Sequence, residues 1–358
     1  MKNLQKLLIA LLVFATVASV ITSCTKEAAK PASASSSPVA NKIAPDSAKG
    51  GTTLTLTGTG LGEIASVMFE KGNVPAPFNT VFNTDRALLF RVPDTANGGN
   101  QNIIITNKLG KVVKVPFNVI ALPVISSVSN YNFTSGTVIT IEGNNLGDVA
   151  SVKFVGSNDA ITVVSATKKE LVIKMPTGSA VPGAALIITN STGPVTTTQI
   201  FENMDKAYKI FTDGYGTDGW ANNSWGPATI STTVSKSGTS SFAATYAKGN
   251  WSQDGFSNWY PGFVSNPAYK YLTFWLKGAS EDYTLYITGD KRAGSFGNSD
   301  VSTPITVPAN VWTYFKIPMT TLDLWNKGTP SNQLGWWIKG PNDQDETFYF
   351  DDVIVVNQ

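Results

Sequence analysis

The sequence predicts an all-β chain: two small sandwich domains followed by a β-jelly roll. Three observations carry this. Short stretches alternate apolar and polar residues along most of the chain, with Gly-rich turns between them. A motif recurs about 85 residues apart in the first half. The aromatic composition changes sharply near residue 204.

Alternation is clear in the first repeat unit. Thr53-Leu54-Thr55-Leu56-Thr57 puts leucines on one face and threonines on the other. Val138-Ile139-Thr140-Ile141 and Leu171-Val172-Ile173-Lys174 do the same in the second. Gly58-Thr59-Gly60-Leu61-Gly62 with Val67 and Phe69 matches Gly143-Asn144-Asn145-Leu146-Gly147 with Val152 and Phe154. Val92-Pro93 matches Met175-Pro176, and Thr106-Asn107 with Gly110 matches Thr189-Asn190 with Gly193. Several short strands per unit of about 80 residues suggest immunoglobulin-like sandwiches. The repeated pattern resembles the IPT/TIG family, over residues 42–121 and 122–203. That resemblance implies rigid spacer domains.

All nine Trp and ten of the eleven Tyr lie after residue 204. The repeats make their cores from Leu, Ile, Val and Phe, so core filling alone does not require such enrichment. Strand alternation continues here, in Leu272, Phe274 and Leu276, in Leu285 and Ile287, and in Phe315 and Ile317. About 150 residues of antiparallel strands, residues 204–358, suggest a jelly-roll sandwich.

Composition excludes much chemistry. The chain has no His and one Cys. His-based triads, His/Cys zinc sites, CxxC redox motifs and an internal disulfide are therefore ruled out. Lys and Arg number 27 against 25 Asp and Glu, a balance that argues against nucleic acid as partner.

Residues 1–23 read as a signal peptide: Lys2 and Lys6 precede an apolar run from Leu7 to Ile21. Thr22-Ser23-Cys24 resembles a bacterial lipobox, which implies acylation of Cys24 and, with palmitate among the acyl chains, an outer-membrane anchor. Thr25-Lys26-Glu27 is similar to the signals that send Bacteroidota lipoproteins to the cell surface. Residues 24–41 are rich in Ala, Ser and Pro and read as a flexible tether. Removing residues 1–23 takes away two Lys and no acid, leaving 25 of each sign and zero net charge. Such a surface suits a neutral polysaccharide better than a polyanion.

A flat aromatic ring covers the apolar C–H face of a sugar, while amides and acids satisfy its hydroxyls. Asp218-Gly219-Trp220-Ala221-Asn222-Asn223-Ser224-Trp225-Gly226 and Ser257-Asn258-Trp259-Tyr260-Pro261-Gly262 set aromatics among small polar residues. Trp220, Trp225, Trp259 and Tyr260 are the resulting candidates, against the alternative of packing under a loop. Trp275 stands among Tyr271, Thr273 and Lys277, opposite an apolar face, and either platform or loop-covered position fits it. Trp336 shares parity with Leu334 and Ile338 and is expected in the core. Trp337 shares parity with Lys339 and is expected on an exposed face. Trp312 is expected to be structural.

Acylated N-terminus, tandem IPT/TIG domains and an aromatic-rich jelly roll together resemble the surface glycan-binding proteins of Bacteroidota polysaccharide-utilisation systems. From Ile210 through Asp352 the chain is similar to the type-B xyloglucan-binding-domain family. That resemblance implies a glucan site with Trp225 as the early Trp and Trp259-Tyr260 as the later aromatic pair, Trp220 competing for the first position. It also implies an outer-membrane glycan importer as a partner.

Other readings remain open at this level. A glycoside hydrolase or lyase has Asp254, Glu281, Asp282 and Glu346 to draw on, but no spacing marks a catalytic pair. A surface adhesin would use the same aromatics on a protein partner. No cofactor is required. Asp351-Asp352 with Asp213 resembles the structural calcium sites of other jelly-roll carbohydrate modules, which makes Asp213 and Asp352 weak calcium candidates.

Overall fold

The computed structural model describes residues 33–249, 251–297, 300–341 and 343–358. The signal peptide, Cys24 and the first part of the tether, to residue 32, lie outside the described residues. The chain divides into two compact units, one ending at Ala121 and the other running from Leu122 to Gln358.

The first unit is a sandwich of two sheets. One joins Ala34–Ala44, Thr53–Leu61 and Ala87–Arg91. The other runs in the order Ser47–Ala48, Val112–Val119, Gly99–Asn107, Ile64–Phe69 and Val74–Pro75. The alternation sets the core: Leu54 and Leu56 are buried between the sheets with Leu88, Phe90, Ile103, Ile105 and Phe117. One expectation is corrected here. Residues 34–41 are not tether but the first part of a strand, Ala34–Ala44, paired antiparallel with Thr53–Leu61. Ser and Pro at an edge are compatible with strand pairing when a neighbour supplies the hydrogen bonds. Composition read alone missed that neighbour.

The second unit begins with the other repeat. Its main sheet has the order Gly193–Thr196, Leu186–Asn190, Val149–Phe154, Ala160–Ala166, Glu170–Lys174, Val138–Asn144 and Val124–Val128. The strand Ala160–Ala166 pairs on both sides and joins what are two separate sheets in the first repeat. Phe133, Ile139, Ile141, Phe154, Leu171 and Ile173 are buried within it.

Residues from Tyr208 onward form two packed sheets. One has the order Ala228–Ser231, Ser241–Tyr246, Glu346–Val356, Tyr271–Lys277 and Trp312–Pro318, with Tyr208–Phe211 also on Glu346–Val356. The facing sheet runs Ala221–Asn222, Trp251–Ser257, Gln333–Lys339, Tyr283–Gly289 and Pro304–Val307. Inward residues of both sheets make one aromatic-rich core, including Phe242, Phe256, Phe274, Phe350 and Trp336. Trp336 is in the core as its parity requires. Trp312 is half-buried, opposite Lys277 at the end of its ladder.

Candidate functional site

The site-bearing strand is Trp251–Ser257. Phe256 points into the core, so Trp251, Gln253, Gly255 and Ser257 share the opposite, outer face. The segment after Trp220 runs antiparallel along this strand. Ala221 pairs with Ser257, Asn223 N–H donates to Gly255 C=O at 2.9 Å, and Trp225 N–H donates to Gln253 C=O at 3.0 Å. Trp225 therefore lies opposite Gln253 on the outer face. Trp220, an odd number of residues earlier, falls on the inner face.

Exposure follows that geometry. Trp225 is 62% exposed, Trp259 66% and Tyr260 88%. Trp225 lies opposite the middle of the strand, and Trp259 and Tyr260 follow its end at Ser257. An open hollow of about 430 Å³ adjoins Tyr260, with Tyr208, Tyr269 and Asp218 among its walls.

Both exposed aromatic segments are fixed from beneath. Asn258 is buried, its amide N–H donates to Asp218 C=O at 2.8 Å, and its Oδ1 accepts from Gly262 N–H at 3.0 Å. This ties down the turn that carries Trp259 and Tyr260. A Cβ at Gly219 would lie 2.2 Å from Tyr260 C=O, so a glycine is required where these two segments meet. Behind Trp225, the buried Asp254 accepts from Gly226 N–H at 3.0 Å. On its other side Trp225 meets Gly297, where a Cβ would come within 2.8 Å of the indole. That loop is pinned by the buried Arg292, which pairs with Asp300 at 3.0 Å and donates to Ser302 and Thr303 hydroxyls at 2.9 and 2.8 Å. Gln253 carries a polar cost under Trp225: its Nε2 donates to Asn223 C=O at 3.3 Å, while its buried Oε1 lacks a protein partner.

Three sequence candidates are corrected. Trp220 is buried in the core, its indole N–H donating to Tyr208 hydroxyl at 3.1 Å. Trp337 is buried despite its outward parity. It is sandwiched between Trp251 and Tyr286, and its indole N–H donates to Asp300 C=O at 2.8 Å, so the loop pinned by Arg292 covers it. Trp275 is covered by the second repeat. Its ring stacks on Tyr131 at 6.0 Å and 5°, and its N–H donates to Asn130 Oδ1 at 2.8 Å. Trp251, which the sequence reading passed over, is exposed on the same outer face. Its parity with Gln253 and Gly255, opposite the core-facing Phe256, is the signal that could have found it.

The acids are engaged elsewhere. Glu281 and Glu346 both accept from the Tyr283 hydroxyl, at 2.8 and 3.1 Å, and Asp282 accepts from Ala309 N–H at 2.8 Å. Asp254 is sealed beneath the Trp225 segment. Asp352 accepts from Asn130 and Asn132 amides at 3.3 and 3.2 Å and from the Ser237 hydroxyl at 2.9 Å. Asp213 accepts from the backbone N–H groups of Thr239 and Ser240, the latter at 2.9 Å. These bonds engage Asp352 and the Oδ1 of Asp213, and among the described residues no three His, Cys, Asp or Glu side chains are grouped to hold a metal.

Burial pushes Asp254 up to about 6, against hydrogen bonds from Gly226, Ser224 and Trp225 that favour its charge. Burial, then the neighbouring Asp352 charge, pushes Asp351 up to about 7. A carboxyl whose folded pKa exceeds its unfolded value, near 3.9, holds its proton more tightly in the folded state. The resulting stability is full below the unfolded pKa and is lost as pH rises through about 6 for Asp254 and about 7 for Asp351. The melting midpoint is therefore expected to be higher at pH 5 than at pH 8. Asp254→Asn should flatten the difference by about 1.4 kcal/mol, the worth of one pH unit of titration. Midpoints that rise from pH 5 to pH 8 would contradict this.

Residues 38–117 and 123–202 match the IPT/TIG domain model, so the chain carries two such domains. No curated protein matches the sequence. The fold is similar to that of the surface glycan-binding protein PbSGBP-B from Prevotella bryantii, with TM-score 0.54 and 18% identity over 91% of this chain and 100% of that one. It is also similar to SGBP-B from a complex xyloglucan utilization locus in Bacteroides uniformis, with TM-score 0.40 and 19% identity over 90% of this chain and 100% of that one. A Family 30 carbohydrate-binding module aligns with 42% of this chain and 99% of its own length, at TM-score 0.29 and 19% identity.

Proposed function

We propose that this chain is a non-catalytic cell-surface receptor that captures a neutral polysaccharide, a β-glucan or hemicellulose, by aromatic stacking. In this reading Cys24 carries the lipid anchor to the outer membrane, and the IPT/TIG domains are spacers. The bound chain is passed to an outer-membrane glycan importer. The observation that carries the reading is the set Trp225, Trp259 and Tyr260: strongly exposed, and at Trp225 and Trp259 held on one sheet edge by buried polar groups. Rigid rings lose little freedom on binding, and each contributes ~0.5–1.5 kcal/mol by analogy with aromatic pairs. Two or three sum to about 1–4.5 kcal/mol, so stacking alone gives affinities on the order of mM or weaker, which hydrogen bonds strengthen and many anchored copies raise by avidity. Carboxyls engaged as described supply no acid–base pair across an open cleft, which favours binding over hydrolysis.

The test is native affinity electrophoresis of residues 25–358 in gels loaded with neutral glucans, hemicelluloses and a polyanionic control. Retardation by a neutral polysaccharide, without release of reducing sugar, is expected. Retardation by none of them would turn the reading toward protein adhesion, and release of product would turn it toward catalysis.

The fold is proposed to stand without calcium, because donors already reach both oxygens of Asp352 and the Oδ1 of Asp213. EDTA is expected to leave the melting midpoint unchanged. A drop of several degrees, reversed by added calcium, would overturn this.

A further inference from the structure

We propose that Trp251 is an additional stacking platform, lengthening the glycan site beyond Trp225 so that it takes more of the same polysaccharide chain. The proposal rests on the glycan-binding reading above and adds a subsite to it.

The placement comes from register. Trp251 and Gln253 share the outer face of their strand, and Trp225 lies opposite Gln253. Trp251 is thus the next outward position past Trp225, about 7 Å farther along the strand. Trp259 lies at the other end. The three indoles follow one strand edge in the order Trp251, Trp225, Trp259.

The ring is also prepared for stacking. Trp251 is 53% exposed and takes no part in the main core. Yet it is braced: it stacks on Trp337 at 5.7 Å and 28°, and Trp337 stacks on Tyr286 at 4.8 Å and 28°. Trp337 is in turn anchored through Asp300. In this three-ring rack Trp337 backs one face of Trp251, and about half of the residue stays open to ligand. The Lys339 ammonium lies over the Trp251 ring, 5.9 Å from its centroid, and supplies donors for the hydroxyls of a sugar seated beside it. A braced, half-exposed indole binds with little further loss of side-chain freedom.

If Trp251 served only to cap Trp337, ligand length would be irrelevant to its removal. The experiment uses residues 25–358, titrated calorimetrically with a xyloglucan heptasaccharide and with the tetradecasaccharide of twice its backbone length. Trp251→Ala is expected to weaken the longer ligand about two- to tenfold, the range for one aromatic contact, and to leave the shorter one unchanged. Trp251→Tyr is expected to recover most of the loss. Equal affinity of Trp251→Ala and wild type for the longer ligand would overturn the proposal. So would equal weakening for both lengths with a lowered melting midpoint, the signature of a structural cap. Wild-type protein that binds neither oligosaccharide would overturn the underlying glucan reading, and the added subsite with it. Trp259→Ala, run alongside, separates the cases, since it should weaken both lengths.

Discussion

Trp259→Ala is expected to weaken polysaccharide binding at least tenfold and to abolish retardation in glycan-loaded gels, with the melting midpoint within about a degree of wild type. The ring is 66% exposed, so its truncation removes little buried surface. The turn stays in place, because it is Asn258 that bonds Asp218 and Gly262. Tyr260 remains beside the vacated position but is 88% exposed and less constrained. A tenfold loss equals about 1.4 kcal/mol, near the upper range for one aromatic contact. Truncation of a hot-spot ring exceeds its pairwise value when neighbouring contacts depend on it. Trp220→Ala provides the contrast. It empties a core position and is expected to destabilise the protein by about 3–5 kcal/mol. If Trp259→Ala bound like wild type, the platform would lie elsewhere on the molecule.

Trp275→Ala is expected to destabilise the Leu122–Gln358 unit by about 3–5 kcal/mol and to leave glycan affinity within about twofold of wild type. The indole is buried where the second IPT/TIG domain meets the jelly roll. It touches Tyr131 and Tyr314, lies under the Lys236 ammonium at 4.2 Å, and bonds Asn130. Its removal opens a cavity and leaves Asn130 Oδ1 with one fewer donor. The same junction holds Asp352 against Asn130 and Asn132, and Lys316 against Glu202 at 2.7 Å. Urea unfolding followed by Trp fluorescence reads the effect. Unchanged stability would mean the two domains do not support one another.

The sequence by itself determined the all-β class, because strand alternation is a local property. Leucines at every second position from Leu54 have only one way to reach a common core. It determined the repeat for the same reason, since Gly, Leu, Val and Phe at fixed spacing serve turns and cores within each unit. It also singled out the two aromatic segments in which Trp225, Trp259 and Tyr260 are exposed, though not which ring of them is buried, since Trp220 has equally small polar neighbours.

Local pattern could not determine which other tryptophans are free. Parity gives the face of a sheet on which a residue lies, and it placed Trp336 correctly. Whether a face meets water depends on what packs upon it from far along the chain. Trp337 faces outward and is buried, because a loop anchored by Arg292 closes over it. Trp275 lies on the outer face of its own sheet and is buried by the preceding domain. Residues 34–41 look like linker and form a strand, because Thr53–Leu61 supplies the backbone partners. Asp351 and Asp352, within the last strand, bond to groups distant in sequence, which local pattern does not show. Sequence fixes periodicity, and periodicity fixes faces. Exposure is a relation between segments, so only the tertiary structure decided it.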